Sequence, residues 1–196
     1  MDRSLGARLA RHPIIATLYG TEQIDAFLDS PSEIAIVANV ELRKLHAVVG
    51  TVTRADKIVI VNIDSCEGIS PDKGGVEYLA EIGTTGLVST RVATIQRANR
   101  AGLMTMQKVF VTDRSTWPRS VKAVEQSDPN LVQLMPAPML PHIAMKERNA
   151  LPPIIASGFV STPHDVRSAL GAGAVAVSTS DAFIWGLDTE QLKGCP

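Results

Sequence analysis

Residues 153–181 read PIIASGFVSTPHDVRSALGAGAVAVSTSD. The stretch divides into strand, glycine loop, helix, strand and a second loop of small residues. Ile154, Ile155 and Ala156 form an apolar run of the length needed by a strand buried on both faces. Ser157-Gly158 follows, where a missing side chain lets backbone N–H groups approach a ligand. Thr162 suits the cap of the next helix, Pro163 its first position, and Asp165 completes a capping box. Val166, Ala169 and Leu170 share one helical face, and Gly171 or Gly173 closes the helix. A second apolar run, Ala174 to Val177, leads into Ser178-Thr179-Ser180 at the predicted start of a helix carrying Phe183 and Trp185.

Two successive strands that each end in glycine or small hydroxyl residues make a phosphate cradle, because unpaired N–H groups and a helix dipole favour a dianion. In eight-stranded βα barrels this site follows strands seven and eight. Taken singly, Gly158 reads as a turn glycine and Ser178 to Ser180 as an ordinary cap. Their pairing after six earlier units points to phosphate.

Those units run outward from the quoted stretch toward the N-terminus. Strands are predicted at Pro13–Leu18, Ile34–Val40, Ile58–Ile63, Leu87–Val88, Met104–Phe110 and Leu131–Met135. Between them, Thr21 caps a helix with Ile24, Phe27 and Leu28. Further helices carry Leu42, Leu45, Val48 and Val49; Val76, Leu79 and Ile82; and Ile95 and Ala98. Others are predicted over Thr116–Glu125 and about Leu140–Arg148. Eight such units predict a compact (β/α)8 TIM barrel rather than an open sheet, and no G-x-G-x-x-G follows the first strand. The norm for the fold is about 250 residues, so some helices must be shortened. The chain reads as one domain over 1–196, with 1–12 as an N-terminal arm and 188–196 as a loose tail. Arg3, Arg8 and Arg11 make that arm basic: a frayed helix, or a contact to a partner.

Composition narrows the function. Hydrophobic residues make 45% and charged residues 20%, ordinary for a soluble globular protein. No apolar run approaches a membrane span and no signal-peptide pattern opens the chain. Two cysteines, Cys66 and Cys195, and four scattered histidines support neither a disulfide framework nor a metal site, and a reduced, cytoplasmic protein without metal or cofactor is expected. A net charge of −1 argues mildly against non-specific nucleic-acid binding, and 4% aromatic residues is low for stacking on single-stranded bases.

Chemistry-bearing residues gather at strand ends. Asp64 ends the third strand, where a carboxylate either points to the barrel mouth or fixes its loop by accepting backbone N–H bonds. Gln107 and Lys108 interrupt the fifth strand, and alternation turns one of them inward. A buried lysine is rare unless paired or reactive.

Four segments together resemble one family: Val61-Asn62-Ile63-Asp64 with Glu67-Gly68-Ile69; Gly86-Leu87-Val88-Ser89-Thr90-Arg91; Gln107-Lys108-Val109-Phe110; and Ala174-Val175-Ala176-Val177-Ser178-Thr179-Ser180. From about Pro13 to Trp185 the chain resembles the glycerol-3-phosphate-responsive antiterminators, regulators of glycerol uptake operons in bacteria. The resemblance implies a non-enzymatic barrel that senses glycerol 3-phosphate and, when loaded, binds leader mRNA. It implies that Ser157, Gly158, Ser178, Thr179 and Ser180 hold the phosphate, with Asp64, Arg91 and Lys108 around the glycerol part. A guanidinium such as Arg91 forks onto two phosphate oxygens. Candidate RNA contacts are Arg97, Arg100, Arg114, Arg119 and Lys122, whose bland reading is a solvated outer face. Assembly into a homo-oligomer is open.

The chain departs from the family pattern at Ser157, where glycine is usual, at Ser65-Cys66-Glu67, at Gln133 and at Pro136-Ala137. Glu67 near a dianion would weaken binding unless it faces away. The competing reading is an isomerase or aldolase acting on a small phosphorylated metabolite, with Lys108 as amine or acid and Asp64 as base.

Overall fold

The computed structural model describes residues 3–188. Its strands are β1 (Ile14–Tyr19), β2 (Ile34–Ala38), β3 (Ile58–Asn62), β4 (Gly86–Ser89), β5 (Met104–Phe110), β6 (Leu131–Met135), β7 (Ile154–Ser157) and β8 (Ala176–Thr179). All pair in parallel and in chain order, and β8 returns to β1. The closed (β/α)8 barrel is thus as predicted. Its helices are α1 (Arg3–Arg11), α2 (Ile24–Asp29), α3 (Leu42–Arg54), α4 (Lys73–Glu81), α5 (Val92–Arg100), α6 (Trp117–Ser127), α7 (Met145–Asn149), α8 (Pro163–Gly171) and α9 (Ala182–Trp185). The shortening falls on α2, α7 and α9. The tail predicted as loose lies, from residue 189 on, outside the described residues.

Alternation along each strand sorts two cores. Outward residues such as Val59, Leu87, Val132 and Val177 pack with Leu45, Leu79, Ile95 and Trp185 of the surrounding helices. Inward residues Ile15, Ile34, Ile36, Ile58, Ile60, Val88, Met106, Leu131, Ile155 and Ala176 fill the barrel itself. Each fully buried aliphatic side chain of this kind contributes about 1.5–3 kcal/mol. Close strand approach constrains Gly86 as well: a Cβ there would fall 2.4 Å from the Met104 carbonyl oxygen.

Helix α1 belongs to the inner core. Leu5 and Leu9 join the inward cluster at the amino ends of the strands and close that opening. Arg11 forks onto Glu33 through Nε and Nη2, and Arg8 bonds Glu33 (2.9 Å) and the Asp56 carbonyl (2.6 Å). These two cations of the basic N-terminal segment are therefore held by their own chain.

Several local predictions shift for identifiable reasons. Asn39 adopts φ +54° and ends β2 earlier than the apolar run does. Gln23, not Thr21, precedes α2, with no side-chain cap. The helix predicted over Leu140–Arg148 is a 3-10 helix, Ala137–His142, followed by α7; Pro141 lacks the N–H a continuous α-helix needs. Strand β8 begins two residues late, so Ser178 and Thr179 are strand residues and Asp181 is the cap of α9. The capping box of Thr162 and Asp165 on α8 forms as read.

His12 follows α1 and is buried beside the Trp185 backbone; burial draws its pKa below the ordinary histidine value, and Nε2 has no partner among the described residues. The unfolded chain therefore takes up this proton at higher pH than the folded one. The contribution is complete above about pH 6.5 and is lost as pH falls below it. Urea midpoints measured from pH 7.5 to 5 should drop more for the wild type than for His12→Gln; parallel curves would assign the acid sensitivity elsewhere.

Candidate functional site

The inward series turn polar at their carboxyl ends. Ile15 is followed by Thr17, Ile60 by Asn62, Met106 by Lys108, Leu131 by Gln133, Ile155 by Ser157 and Ala176 by Ser178. Together with Gly158, Phe159, Thr179 and Ser180 these residues line a cavity of about 470 Å³. It opens at the carboxyl end of the strands, where ligands bind in this fold.

Its polar floor is organised by Gln133. Gln133 Nε2 donates to Ser157 Oγ (3.0 Å) and Ser178 Oγ (3.1 Å), and the two serine hydroxyls bond each other. These hydroxyls are thereby engaged by the protein itself. Thr179 serves as a clamp: its Oγ1 donates to the Val160 carbonyl (2.6 Å), and its own carbonyl accepts Trp185 Nε1 (2.7 Å). Thr179 thus fixes the β7 loop and α9 against each other.

The free donors lie one step higher. The main-chain N–H groups of Gly158, Phe159, Val160 and Ser180 donate to no group among the described residues. Gly158 sits at φ +78°, a conformation that suits glycine and turns the loop over the cavity. Because α9 has one turn, its dipole adds little, and the amides carry the attraction for an anion. Asp181, the one carboxylate in the lining among the described residues, is turned to the Phe183 N–H at 3.0 Å.

Lys108 is half-buried in the lining, and its ammonium has no hydrogen bond or ion pair among the described residues. Burial lowers its pKa, and the charge of Asp64 partly restores it. Gln107, its neighbour, faces outward and donates to the Thr90 carbonyl (2.8 Å), which settles which of the two turns inward.

Asp64 does not line the cavity. It accepts Ser89 Oγ (2.8 Å), Thr90 N (2.6 Å) and Thr90 Oγ1 (2.8 Å), so the loop-fixing alternative is the one its geometry fits. Arg91 stands outside the lining too, exposed at the rim with Nε 3.9 Å from Asp64 Oδ1. Glu67 faces away: it is exposed, and its backbone bridges to the loop after β2 through Val40 and Leu42. The structure therefore brings together six of the eight ligand candidates, Ser157, Gly158, Ser178, Thr179, Ser180 and Lys108, and leaves Asp64 and Arg91 at the rim.

Of the RNA candidates, Arg100, Arg114, Arg119 and Lys122 are exposed and Arg97 is half-buried. None forms an ion pair among the described residues. Helices α5 and α6 are tied into one wall by Gln96 and Asn99, which donate to carbonyls of Gln126, Ser127 and Asp128. Residues 82–124 carry seven Lys and Arg against one acid, Asp113, whereas the other 153 residues carry twelve against nineteen. Asp113 is committed to its own loop, held down to about 2 by the Ser115 hydroxyl and then the Thr116 N–H. Counting charge by segment would have found this wall, which the overall value of −1 conceals. Thr17, Asn62 and Gln133 are further lining residues that strand alternation, followed across the registers, was able to locate.

Fold and cavity define a (β/α)8 barrel whose concave site lies at the carboxyl ends of the strands. The chain belongs to the glycerol-3-phosphate responsive antiterminator family, whose pattern matches residues 14–185. An uncharacterized protein, YgcP, of Escherichia coli (strain K12) is 25% identical over 180 residues, covering 91% of this chain and 94% of that protein. The glycerol uptake operon antiterminator regulatory protein of Listeria monocytogenes superposes with a TM-score of 0.81 at 23% identity over 87% of this chain and 92% of that one. A glycerol uptake operon antiterminator-related protein of Thermotoga maritima gives 0.80 at 21% over 89% and 98%. Aldolases share the fold at lower similarity.

Removing the carboxylate that pins the β4 loop should cost stability. Asp64→Ala loses hydrogen bonds to a charged acceptor, for which about 2–3 kcal/mol is expected. Amide exchange at Thr90 should accelerate in the same variant; unchanged exchange and stability would mean the loop holds itself.

Proposed function

We propose that this protein senses glycerol 3-phosphate in the carboxyl-end cavity and, when loaded, binds the leader mRNA of a glycerol utilisation operon in the cytoplasm to prevent early termination. The observation that carries the reading is the pairing of unengaged main-chain N–H groups at Gly158, Phe159, Val160 and Ser180 with the unpaired ammonium of Lys108. Fixed amides and one cation at a concave site suit a phosphate dianion. The polar floor beneath suits the hydroxyls of a small polyol. For the RNA, the α5–α6 wall offers five cations without carboxylate partners, and neutralised phosphates supply most of the affinity of such contacts. Ligand and RNA are coupled if the loaded conformation is the one the RNA prefers.

A second reading rests on the same lysine. An unpaired, desolvated amine inside an aldolase-like barrel is able to attack a carbonyl and release water to form an imine. Borohydride added with dihydroxyacetone phosphate would then fix a mass adduct on Lys108. No adduct removes the enzyme reading, and turnover of the phosphate ester would replace the regulator.

Calorimetry with glycerol 3-phosphate tests the main reading. One-site binding is expected, with glycerol alone much weaker and Lys108→Met weaker by about 10- to 100-fold, from the ~1.5–3 kcal/mol of a charged hydrogen bond. Affinity should rise as the phosphate becomes a dianion near pH 6. It should fall again at alkaline pH, as Lys108 loses its proton earlier than an ordinary lysine does. Absence of saturable heat with the wild type would overturn the sensor.

A further inference from the structure

The geometry points to a base-stacking platform at the mouth of the barrel, formed by Phe110 and Phe159 and seated over the ligand cavity, whose occupant is a nucleobase of single-stranded RNA. The inference rests on the regulator reading above and adds the surface through which ligand and RNA meet.

Aromatic residues are few, eight in all. Four of them, Tyr19, Phe110, Phe159 and Phe183, are exposed. Phe110 ends the inward series of β5, one pleat above Lys108, and pairs in register with Met135 of β6. Met135 lines the cavity next to Gly158 and Phe159. These residues mark an arc of strand ends from β5 to β7: Phe110 and Met135 end paired strands, and Met135 and Phe159 line the cavity together with Tyr19 of β1.

The backbone holds Phe159 in this arc at a cost. Its φ of +58° lies in the left-handed region, which costs a non-glycine residue about 1–2 kcal/mol. The side chain is 80% exposed, so packing within the chain offsets little of that cost. Strain of this kind persists where a function needs it. Size agrees: cavities of roughly 300–1,000 Å³ hold ligands larger than a glycerol phosphate, and this one, at about 470 Å³, leaves room above it.

Charge selects the occupant. Phe110 lies within the basic segment 82–124, and Arg114 carries the positive wall up to the same rim. An RNA strand with phosphates on that wall places a base over Phe110, and stacking on aromatic faces accepts any base. A base in this position touches protein and ligand together, so each raises the affinity of the other by the same factor.

The test is fluorescence anisotropy of the full chain with a mixed-sequence single-stranded RNA 20-mer, with and without saturating glycerol 3-phosphate. Phe110→Ala/Phe159→Gly is expected to bind RNA at least tenfold more weakly, to lose the ligand response and to keep the wild-type salt slope. Its thermal stability should equal or exceed that of the wild type, since glycine relieves the left-handed position. Arg119→Ala/Lys122→Ala is expected to reduce the salt slope and retain the ligand response. RNA affinity unchanged in the phenylalanine variant but lost in the basic one would overturn the platform and leave the regulator standing. Loss of RNA binding by the wild type would overturn both. A sedimenting dimer that the phenylalanine variant dissolves would reassign the arc to contact between copies.

Discussion

Every second residue of a strand in a closed barrel must point inward, and this constraint governs both the stability and the site of the molecule. Along β3 the inward series runs Ile58, Ile60, Asn62, and along β5 it runs Met104, Met106, Lys108, Phe110. The lower members exclude water, and α1 seals them from below with Leu5 and Leu9. The upper members open into a cavity where polar groups reach solvent. A shift of one residue in β5 would turn Lys108 toward the outer helices and bring Gln107 to the interior, so register and site are set together.

In the cavity lining, Lys108 is left without a carboxylate partner among the described residues. Asp64 spends its carboxylate on Ser89 and Thr90, Asp181 is turned to Phe183, and Lys108 has no such engagement. The Gln133 amide holds the two serines of β7 and β8, which keeps these strand ends at fixed separation below the turns. Ser157 therefore contributes to positioning, and the free donors belong to the main chain above it.

The eight units, their order and the gathering of six of the eight ligand candidates at one cavity were legible because apolar period and glycine position report directly on burial and turn geometry. The engaged state of Asp64 was not, because which of two acceptor roles a strand-end carboxylate takes depends on the neighbouring loop, here Thr90. Gln133 stood out only as a departure from the family pattern; its role needs the register that sets it beside Lys108 and Ile155. The start of α9 was misplaced since Ser178 and Thr179, good cap residues, are drawn into β8 by pairing with β7 and β1. The low aromatic content concealed that half of those residues are exposed at the surface.

A dianion gripped by the main-chain amides of the turns after β7 and β8 would report itself in the chemical shifts of those amides. In a titration of the 15N-labelled protein with glycerol 3-phosphate, Gly158, Phe159, Val160 and Ser180 should move saturably and downfield in proton shift as their N–H groups gain an acceptor. Shifts confined to other loops, with these four resonances unmoved at saturation, would mean that the amides of these turns do not hold the phosphate.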